Sequence, residues 1–391
     1  MFLALALTLL GSPPAGIEHQ TTHYDLYAEG VNEADTGAML EELYRQLTKH
    51  FGAAPQGRLR VEVYATQEGW QEGLKRDGLG DPKSGGYYDP GGKKAYLWVQ
   101  PSEYFTRQLI LHEATHQFHY LAATGNRNPN VGWYTEGLAE YFGMHNWDGK
   151  ELKTGVVPAV TLEDYPAQAL AQFDRLKHDL QGVADGSTAC DRPLGWALVH
   201  YLMNRDPKRF HELAARLDAQ RKPEKAWNQV FGPVSAATVK DFREYLTGNA
   251  QPWRIATVSW QERGSRIEGK AAVTSVVLLK KMPAALEAEV EILDGSLKAG
   301  IAFNFKSNDA FTLLQVLPDN KARIVQLANG GWKVLATADV PAADGNPVVS
   351  WKREGKEAVL AVNGQEVGRL PDDGEVGLNV EGCQAVFRVR K

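Results

Sequence analysis

LILHEATH, at residues 109–116, organises the first part of the chain, because it combines an apolar run with the pattern H-E-x-x-H. On a helix, His112 and His116 project from the same face one turn apart, so both can reach one metal ion. Glu113 lies about 100° around the helix from His112, close enough to act on a metal-bound water. Pro101-Ser102 offers an N-terminal cap, and neither Gly nor Pro occurs from 104 to 121. The stretch therefore predicts a buried helix that carries part of a metal site.

A second stretch, WYTEGLAE at residues 133–140, supplies carboxylates. Zinc in a reactive site usually takes three protein ligands and leaves one position for water. Positions 117–135, nineteen residues, separate His116 from Glu136, and a loop at 123–132 precedes a new apolar-periodic segment. Glu140, one turn after Glu136, can accept a hydrogen bond from the non-metal nitrogen of a ligand histidine. The two glutamates are exchangeable as the metal ligand in principle, and the spacing favours Glu136.

H-E-x-x-H followed after about nineteen residues by E-G-L-A-E-Y-F resembles the gluzincin zinc metallopeptidases of the thermolysin and M1 aminopeptidase type, and most of all the bacterial peptidase-MA-like families. The resemblance implies that His112, His116 and Glu136 bind Zn²⁺ and that Glu113 is the catalytic general base. It also implies that Glu140 stands behind His112. The expected activity is hydrolysis of peptide bonds in a peptide or protein substrate by a zinc-activated water.

The donor that would stabilise the oxyanion departs from that family pattern. In M1-type relatives a tyrosine stands three residues before a glycine on a downstream helix, and matching Gly195 to that glycine puts Arg192 at the tyrosine position. Arg192 is therefore a candidate catalytic residue that could supply positive charge. The alternatives are that His200 or Tyr201 turns inward, that Arg192 is a solvated loop residue, or that activity is weak or lost.

Composition sets the broad class. The chain has 391 residues, 43% hydrophobic and 23% charged, which predicts a globular protein of two or three domains. The net charge of −5 comes without a basic stripe, so nucleic acid is not an expected partner. Cys190 and Cys383 are too few for a disulfide scaffold, and two unpaired thiols are expected.

The N-terminal run MFLALALTLL is too short to span a bilayer and is typical of the apolar region of a secretory signal, although a basic segment before it is absent. The alternative is a buried N-terminal strand. Residues 1–16 are thus predicted to be a signal peptide. The protein is expected to be secreted or periplasmic, without stable membrane insertion.

Residues 17–250 are predicted to form a zincin-type domain of α+β class, with a small mixed sheet and a mainly helical second half. Apolar residues from 40 to 51 keep helical spacing and Gly52 ends that helix, while 59–63 alternates as a strand. Further helices are predicted at 196–202, 210–217 and 239–246. By the gluzincin resemblance, Ala95–Val99 would be the sheet edge that pairs with extended substrate; the alternative is a plain strand.

Residues 253–391, after the linker-like 246–252, are predicted to form an all-β sandwich. Residues 286–292 alternate strictly, and Asn363-Gly364 predicts a hairpin. "AGIAFNF…DAFTLLQV" with "VNGQEVGRL…GEVGLNVEG" is similar to concanavalin A-like jelly rolls of the laminin-G type. The resemblance implies a module that binds glycan or acts as a spacer. Trp260, Trp332 and Trp351 are either a sugar platform or core residues.

Three hypotheses follow. The leading one is a secreted zinc peptidase. The alternative is a pseudopeptidase, or a carbohydrate-binding cell-surface protein, that works through its lectin-like sandwich. The third is a carbohydrate-active enzyme whose chemistry lies in the sandwich.

Overall fold

The computed structural model describes residues 17–82, 84–127, 129, 131–255, 259–295 and 298–390. The predicted signal segment, residues 1–16, lies outside this part of the chain. A mixed sheet with helices is followed by a run of helices and then by strands alone, so the predicted α+β class and the β-sandwich are confirmed. None of the described helices has both the length and the apolar character needed to cross a membrane.

The first part is built on a five-stranded sheet in the order β1-β2-β3-β5-β4. Strands β2, β3 and β5 are parallel, whereas β1 and β4 are antiparallel to their neighbours. The elements are β1 (Ile17–Gln20), β2 (Tyr24–Ala28), α1 (Glu33–Phe51), β3 (Leu59–Tyr64), α2 (Gln67–Arg76), β4 (Gly86–Asp89), β5 (Lys94–Trp98) and α3 (Glu103–Ala122).

Local sequence signals explain the ends of these helices. The Asn32 side chain accepts a hydrogen bond from the Asp35 amide at the start of α1, and Gly52 at its end has φ 66°, a backbone conformation that glycine adopts without strain. The predicted helix and its stop are confirmed. Ser102 Oγ likewise accepts from the amide of Phe105 at the start of α3.

The interpretation of Ala95–Val99 as a sheet edge was wrong. β5 pairs with β3 on one side and with β4 on the other, so it lies inside the sheet. The edge strand is β4, and the turn at 90–93 connects it to β5. The sequence places β5 next to α3 in the chain, but the order of strands in the sheet depends on pairing that local pattern does not encode.

A helical part follows α3. Its elements are α4 (Gly132–Gly143), β6 (His145–Trp147), β7 (Leu152–Thr154), α5 (Tyr165–Arg175), α6 (Leu180–Asp185), α7 (Arg192–Arg205), α8 (Pro207–Asp218), α9 (Pro223–Val230) and α10 (Ala236–Gly248). The three helices predicted in this region are confirmed as α7, α8 and α10. Fully buried Tyr134, Trp196 and Phe210 lie in the common core, where each large apolar side chain stabilises the fold by about 1.5–3 kcal/mol.

Helices α4 and α7 touch through their backbones. A Cβ atom added to Gly137 on α4 would lie 2.3 Å from the carbonyl oxygen of Gly195 on α7, so only glycine fits there. Gly195 in turn leaves room for the backbone of Trp133. This contact fixes which residues of the two helices face each other at the metal centre described below.

The C-terminal part is a sandwich of two seven-stranded sheets, in the orders β19-β18-β17-β12-β21-β10-β9 and β16-β15-β14-β13-β20-β11-β8. The strands are β8 (Trp253–Ile255), β9 (Trp260–Arg263), β10 (Arg266–Ala271), β11 (Ser275–Leu279), β12 (Ala285–Gly295), β13 (Ala299–Ser307), β14 (Ala310–Leu317), β15 (Lys321–Ala328), β16 (Gly331–Asp339), β17 (Val348–Glu354), β18 (Glu357–Val362), β19 (Gln365–Pro371), β20 (Glu375–Val380) and β21 (Cys383–Arg390).

The predicted hairpin at Asn363-Gly364 is confirmed between β18 and β19, and both residues have positive φ, 51° and 80°, as a type I′ turn requires. Cys190 and Cys383 are free thiols.

The segment 156–164, between β7 and α5, contacts the sandwich. Val160 is fully buried in the core between the two sheets, and the amide of Ala159 donates to the Glu262 carboxylate. Gln251 Nε2 donates to Thr161 Oγ1 over 2.8 Å. The chain therefore docks against the sandwich before it enters α5.

Candidate metal centre

Two consecutive helices bring together three side chains of the types that can hold a metal ion. Nε2 of His112 lies 3.0 Å from Nε2 of His116, both on α3, and the carboxylate of Glu136 on α4 lies 3.6 and 3.5 Å from them. Zn–N and Zn–O bonds of about 2.0–2.1 Å in a tetrahedron place ligand atoms about 3.4 Å apart. The three donors match that spacing.

The state of the donor atoms also fits a cation. Oε2 of Glu136 is buried, and none of its contacts among the described residues, including Nε of Arg192 at 3.2 Å, has the geometry of a hydrogen bond, so a lone pair is left for a metal. Among the described residues, His112, His116 and Glu136 form a group of potential ligands whose donor atoms all lie within 4.8 Å of one another. Burial opposes the ionisation of Glu136, but its contacts with His112 and His116 outweigh that effect and lower its pKa to about 2. The carboxylate is thus ionised at neutral pH.

Glu140 lies behind His112, on the side away from the other donors. Its Oε1 is 3.1 Å from Nδ1 of His112, and its Oε2 accepts a hydrogen bond from Nε2 of Gln108 over 3.0 Å. Burial acts to lower the pKa of His112, but the carboxylates of Glu140, Glu136 and Glu113 together outweigh burial and raise that pKa. Gln108 was not predicted as part of the site. It lies one turn before His112 on the same face of the helix, so the spacing alone could have identified it.

Glu113 is buried next to the donors and faces the edge strand β4. A Cβ atom added to Gly86 on β4 would lie 2.8 Å from Oε1 of Glu113, so glycine allows this close approach. Burial raises the pKa of Glu113 to about 7, against the opposing charges of His112 and Arg192. The carboxyl group can therefore take up or release a proton near neutral pH, and its role as a general base stays a prediction.

Arg192 lies at the centre and not in a solvated loop. It is the first residue of α7, three residues before Gly195, and its Nε is 3.2 Å from Oε2 of Glu136. Its Nη1 is 3.8 Å from Oε1 of Glu140. The backbone contact between Gly137 and Gly195 produces this arrangement, because it brings the first turn of α7 onto the face of α4 that carries both glutamates.

The other candidates for the oxyanion donor lie elsewhere. The ring of His200 contacts the carbonyl oxygen of Gly155 and the hydroxyl of Tyr245, and Tyr201 donates to Asp241. Neither residue lines the cavities at the metal donors. Both are packing residues of the helical core.

Two cavities flank the donors and share His112, Glu136 and Arg192 in their walls. The first, of about 300 Å³, is lined by tyrosines, among them Tyr88 and Tyr120, whose rings are 5.7 Å apart. The hydroxyl of Tyr88 is buried without a hydrogen-bond partner among the described residues. The second cavity, of about 590 Å³, is lined by amide, carboxyl and guanidinium groups together with apolar and aromatic side chains.

The sandwich has a separate candidate surface. Trp260 and Trp351 are buried between the sheets, whereas Trp332, on the edge strand β16, is 50% exposed. Its ring meets that of Phe311 edge-on at 5.7 Å. Only Trp332 of the three tryptophans is therefore free to contact a ligand.

Polar side chains share the sheet face that carries Trp332. The strand register aligns Asn379, Gly300, Gln315 and Arg323 across four strands, and these positions alternate with residues that face the sandwich core. Arg323 donates to Oε1 of Gln315 over 2.7 Å. The buried amide of Asn379 has no hydrogen-bond partner among the described residues.

Residues 108–225, which contain both motifs of the metal centre, match a family described as a protein of unknown function, DUF1570. No curated protein matches the chain. Among solved structures, the chain is similar to the carbohydrate-binding module CBM66 from Bacillus subtilis, with 20% identity over 35% of this chain and 92% of that chain and a TM-score of 0.31. A second similar structure is the GH43 protein BlXynB from Bacillus licheniformis, with 13% identity over 35% of this chain and 36% of that chain and a TM-score of 0.28. A third is a Bacillus subtilis protein of unknown function with a galectin-like fold, with 12% identity over 40% of this chain and 90% of that chain and a TM-score of 0.27.

These comparisons correct the identification as a gluzincin zinc metallopeptidase. The segment with both motifs matches a family of unknown function and not a peptidase family. The predicted peptidase activity and the predicted peptide or protein substrate were therefore wrong. The physical reason is that the motifs specify donors for a metal ion. They do not specify the ligand, which is selected by cavity walls that come from distant parts of the chain.

Proposed function

We propose that the chain is a zinc-binding protein that binds carbohydrate through its C-terminal sandwich. The observation that carries the metal part is the donor group of His112, His116 and Glu136, with spacings close to those of a tetrahedral site. The zincin-like arrangement, in which two consecutive helices supply the donors, belongs to this proposal. Secretion stays a prediction that rests on the apolar run at residues 1–10.

Zinc suits these donors better than Ca²⁺ or Mg²⁺ do, because two imidazoles and one carboxylate are ligands that zinc prefers, whereas the harder cations prefer oxygen alone. Bound zinc would lower the pKa of a coordinated water. Glu140 would hold the His112 ring in one orientation, and Glu113 would offer a carboxyl group beside the ion.

Cobalt(II) substitution tests the metal part. Wild type loaded with Co²⁺ should give the intense visible absorption of a four-coordinate ion, and Glu136→Ala should weaken the band. Added Zn²⁺ should displace it. A spectrum identical to that of hexaaqua Co²⁺ would contradict the site.

The carbohydrate part is supported by the half-exposed Trp332 and by the partly exposed guanidinium of Arg323 on the same sheet face. An aromatic ring covers the apolar face of a bound sugar, and amide and charged groups hydrogen-bond its hydroxyls. Neutral glucan, xylan, mannan and fructan fragments, titrated into the full chain while tryptophan fluorescence is recorded, test this part. Trp332→Ala should weaken binding about tenfold, the loss of one aromatic anchor. An equal affinity in wild type and Trp332→Ala would show that the sandwich surface is not the binding site.

A further inference from the structure

The cavity of about 590 Å³ beside the metal donors has walls from several separate segments of the chain. Gln108 and Phe105 come from α3, Glu140 from α4, Glu163 from the segment before α5, Gln168 from α5 itself, and Arg192 from α7. The wall thus combines amides, carboxyls, a guanidinium and an aromatic ring. These are groups that donate and accept hydrogen bonds around a polar ligand.

Most charged groups of this wall already have partners. Glu140 contacts His112 and Arg192, and Glu136 contacts Arg192. Glu163 differs, because no Lys, Arg or His of the described residues forms an ion pair with its carboxylate. The charges of Glu140 and Arg192 act on it from a greater distance. Partial burial raises the pKa of Glu163.

Glu163 is held in place from the sandwich. Its own carbonyl oxygen accepts a hydrogen bond from Thr161 Oγ1, which in turn accepts one from Gln251. Two residues earlier than Thr161, the amide of Ala159 is bonded to Glu262 of β9. The carboxyl group therefore projects from a docked segment, and a ligand that it binds would not have to order a free loop.

The balance of charge selects the class of ligand. A cationic ligand would be repelled by the nearby Arg192 guanidinium and by the doubly charged metal of the proposed function. An anionic ligand would be repelled by the carboxylates of Glu140, Glu163 and Asp191. Because like charges in a partly buried site repel strongly, a ligand without net charge is favoured. Hydroxyl groups can both donate to carboxyls and accept from amides.

We propose that this cavity is a second carbohydrate-binding site, which takes a neutral sugar unit whose hydroxyls bond to Glu163 and Gln168 beside the metal donors. The inference rests on the proposed function, because it assumes that the chain binds zinc and carbohydrate. It extends that function from the sandwich surface to the metal cleft. A glycan chain can then bind the protein at two sites, the sandwich surface and the metal cleft.

The test uses the full zinc-loaded chain with Trp332→Ala as background, so that the sandwich surface does not mask the cleft. Neutral glucan, xylan, mannan and fructan fragments are titrated by calorimetry. One of these fragments should bind, Glu163→Gln should keep the affinity within about twofold, and Glu163→Leu should weaken it at least about tenfold, the loss of a hydrogen bond to a charged group. Gln168→Leu, an independent change in the same wall, should also weaken binding, and zinc content should stay unchanged in every variant.

Three results would overturn the inference. Equal binding by Glu163→Leu and Gln168→Leu would show that the cavity is not used. Absence of binding in the Trp332→Ala background, with binding by wild type, would restrict carbohydrate to the sandwich and leave the proposed function standing. Absence of binding by wild type as well would remove the carbohydrate part of the proposed function.

Discussion

Replacement of Gly137 by alanine tests whether the contact between α4 and α7 builds the metal centre. The new Cβ atom would lie 2.3 Å from the carbonyl oxygen and 2.5 Å from the carbonyl carbon of Gly195. Both are backbone atoms, so no side-chain rotation relieves the clash. Since non-bonded heavy atoms approach to about 3.5 Å, the helices must separate by roughly 1 Å. Overpacking of this kind costs about 1–3 kcal/mol, and a backbone clash at a helix crossing belongs at the upper end, about 3 kcal/mol.

The same separation should weaken the metal site. Arg192 and Glu136 lie in the turns next to the contact and are 3.2 Å apart. Because α4 packs against both α3 and α7, it takes up part of this displacement, and Glu136 on α4 then moves relative to His112 and His116 on α3. A shift approaching 1 Å exceeds the tolerance of about 0.5 Å for a preorganised site, so zinc affinity should fall about tenfold or more.

Gly132→Ala on the same helix is the matched control. Nothing lies within 4 Å of a Cβ atom at Gly132, so alanine there should be neutral or stabilise α4 by up to about 1 kcal/mol. Urea unfolding gives the free energy of each variant, and competition with a chelating dye gives zinc affinity. Equal stability and equal zinc affinity of Gly137→Ala and Gly132→Ala would refute the role of the helix contact.

Three further changes probe other parts of the account. Glu140→Gln should weaken zinc binding about 10–100-fold, because the contact that orients His112 loses its charge, and an unchanged dissociation constant would argue against that role. His145 is buried, and burial together with the charge of Arg107 lowers its pKa to about 3, so the native state excludes the proton that the unfolded state binds below about pH 6.5. The stability that neutral His145 contributes is fully present above pH 6.5 and is lost towards pH 3, by about 1.4 kcal/mol per pH unit. In urea unfolding, the free energy of unfolding of His145→Phe should therefore fall less steeply with acid than that of wild type. Parallel curves for the two proteins would contradict this. Val160→Ala should lower the free energy of unfolding by about 2 kcal/mol, because it leaves a cavity in the sandwich core, and a loss below about 0.5 kcal/mol would show that segment 156–164 docks only weakly.

The donors of the metal centre could be found from the sequence because two of them are local. His112 and His116 are four residues apart on a helix whose cap and apolar run are visible in the chain. Glu136 follows after a loop on the next helix, so its place depends on one helix packing. The hairpin at Asn363-Gly364 could be predicted for the same reason, since two adjacent residues set the turn.

The surroundings of the donors depend on distant contacts and could not be predicted in this way. Arg192 reaches Glu136 only because Gly137 and Gly195 allow the two helices to touch. Glu163 belongs to an irregular segment whose position is fixed by bonds to the sandwich. A ligand of the cleft would be selected by these walls, which the pattern of candidate donors in the sequence does not encode.

Zinc content of the purified full chain, measured by mass spectrometry of the metal, tests the central claim most directly. The comparison includes wild type, His116→Ala, Glu113→Gln and the control His119→Ala, which changes a histidine of the same helix that bonds to Asp218 and not to the donors. A single three-ligand site predicts about one zinc per chain, kept in Glu113→Gln and His119→Ala and lost in His116→Ala. Wild type without zinc after reconstitution, or His116→Ala with as much zinc as wild type, would contradict the proposed metal centre.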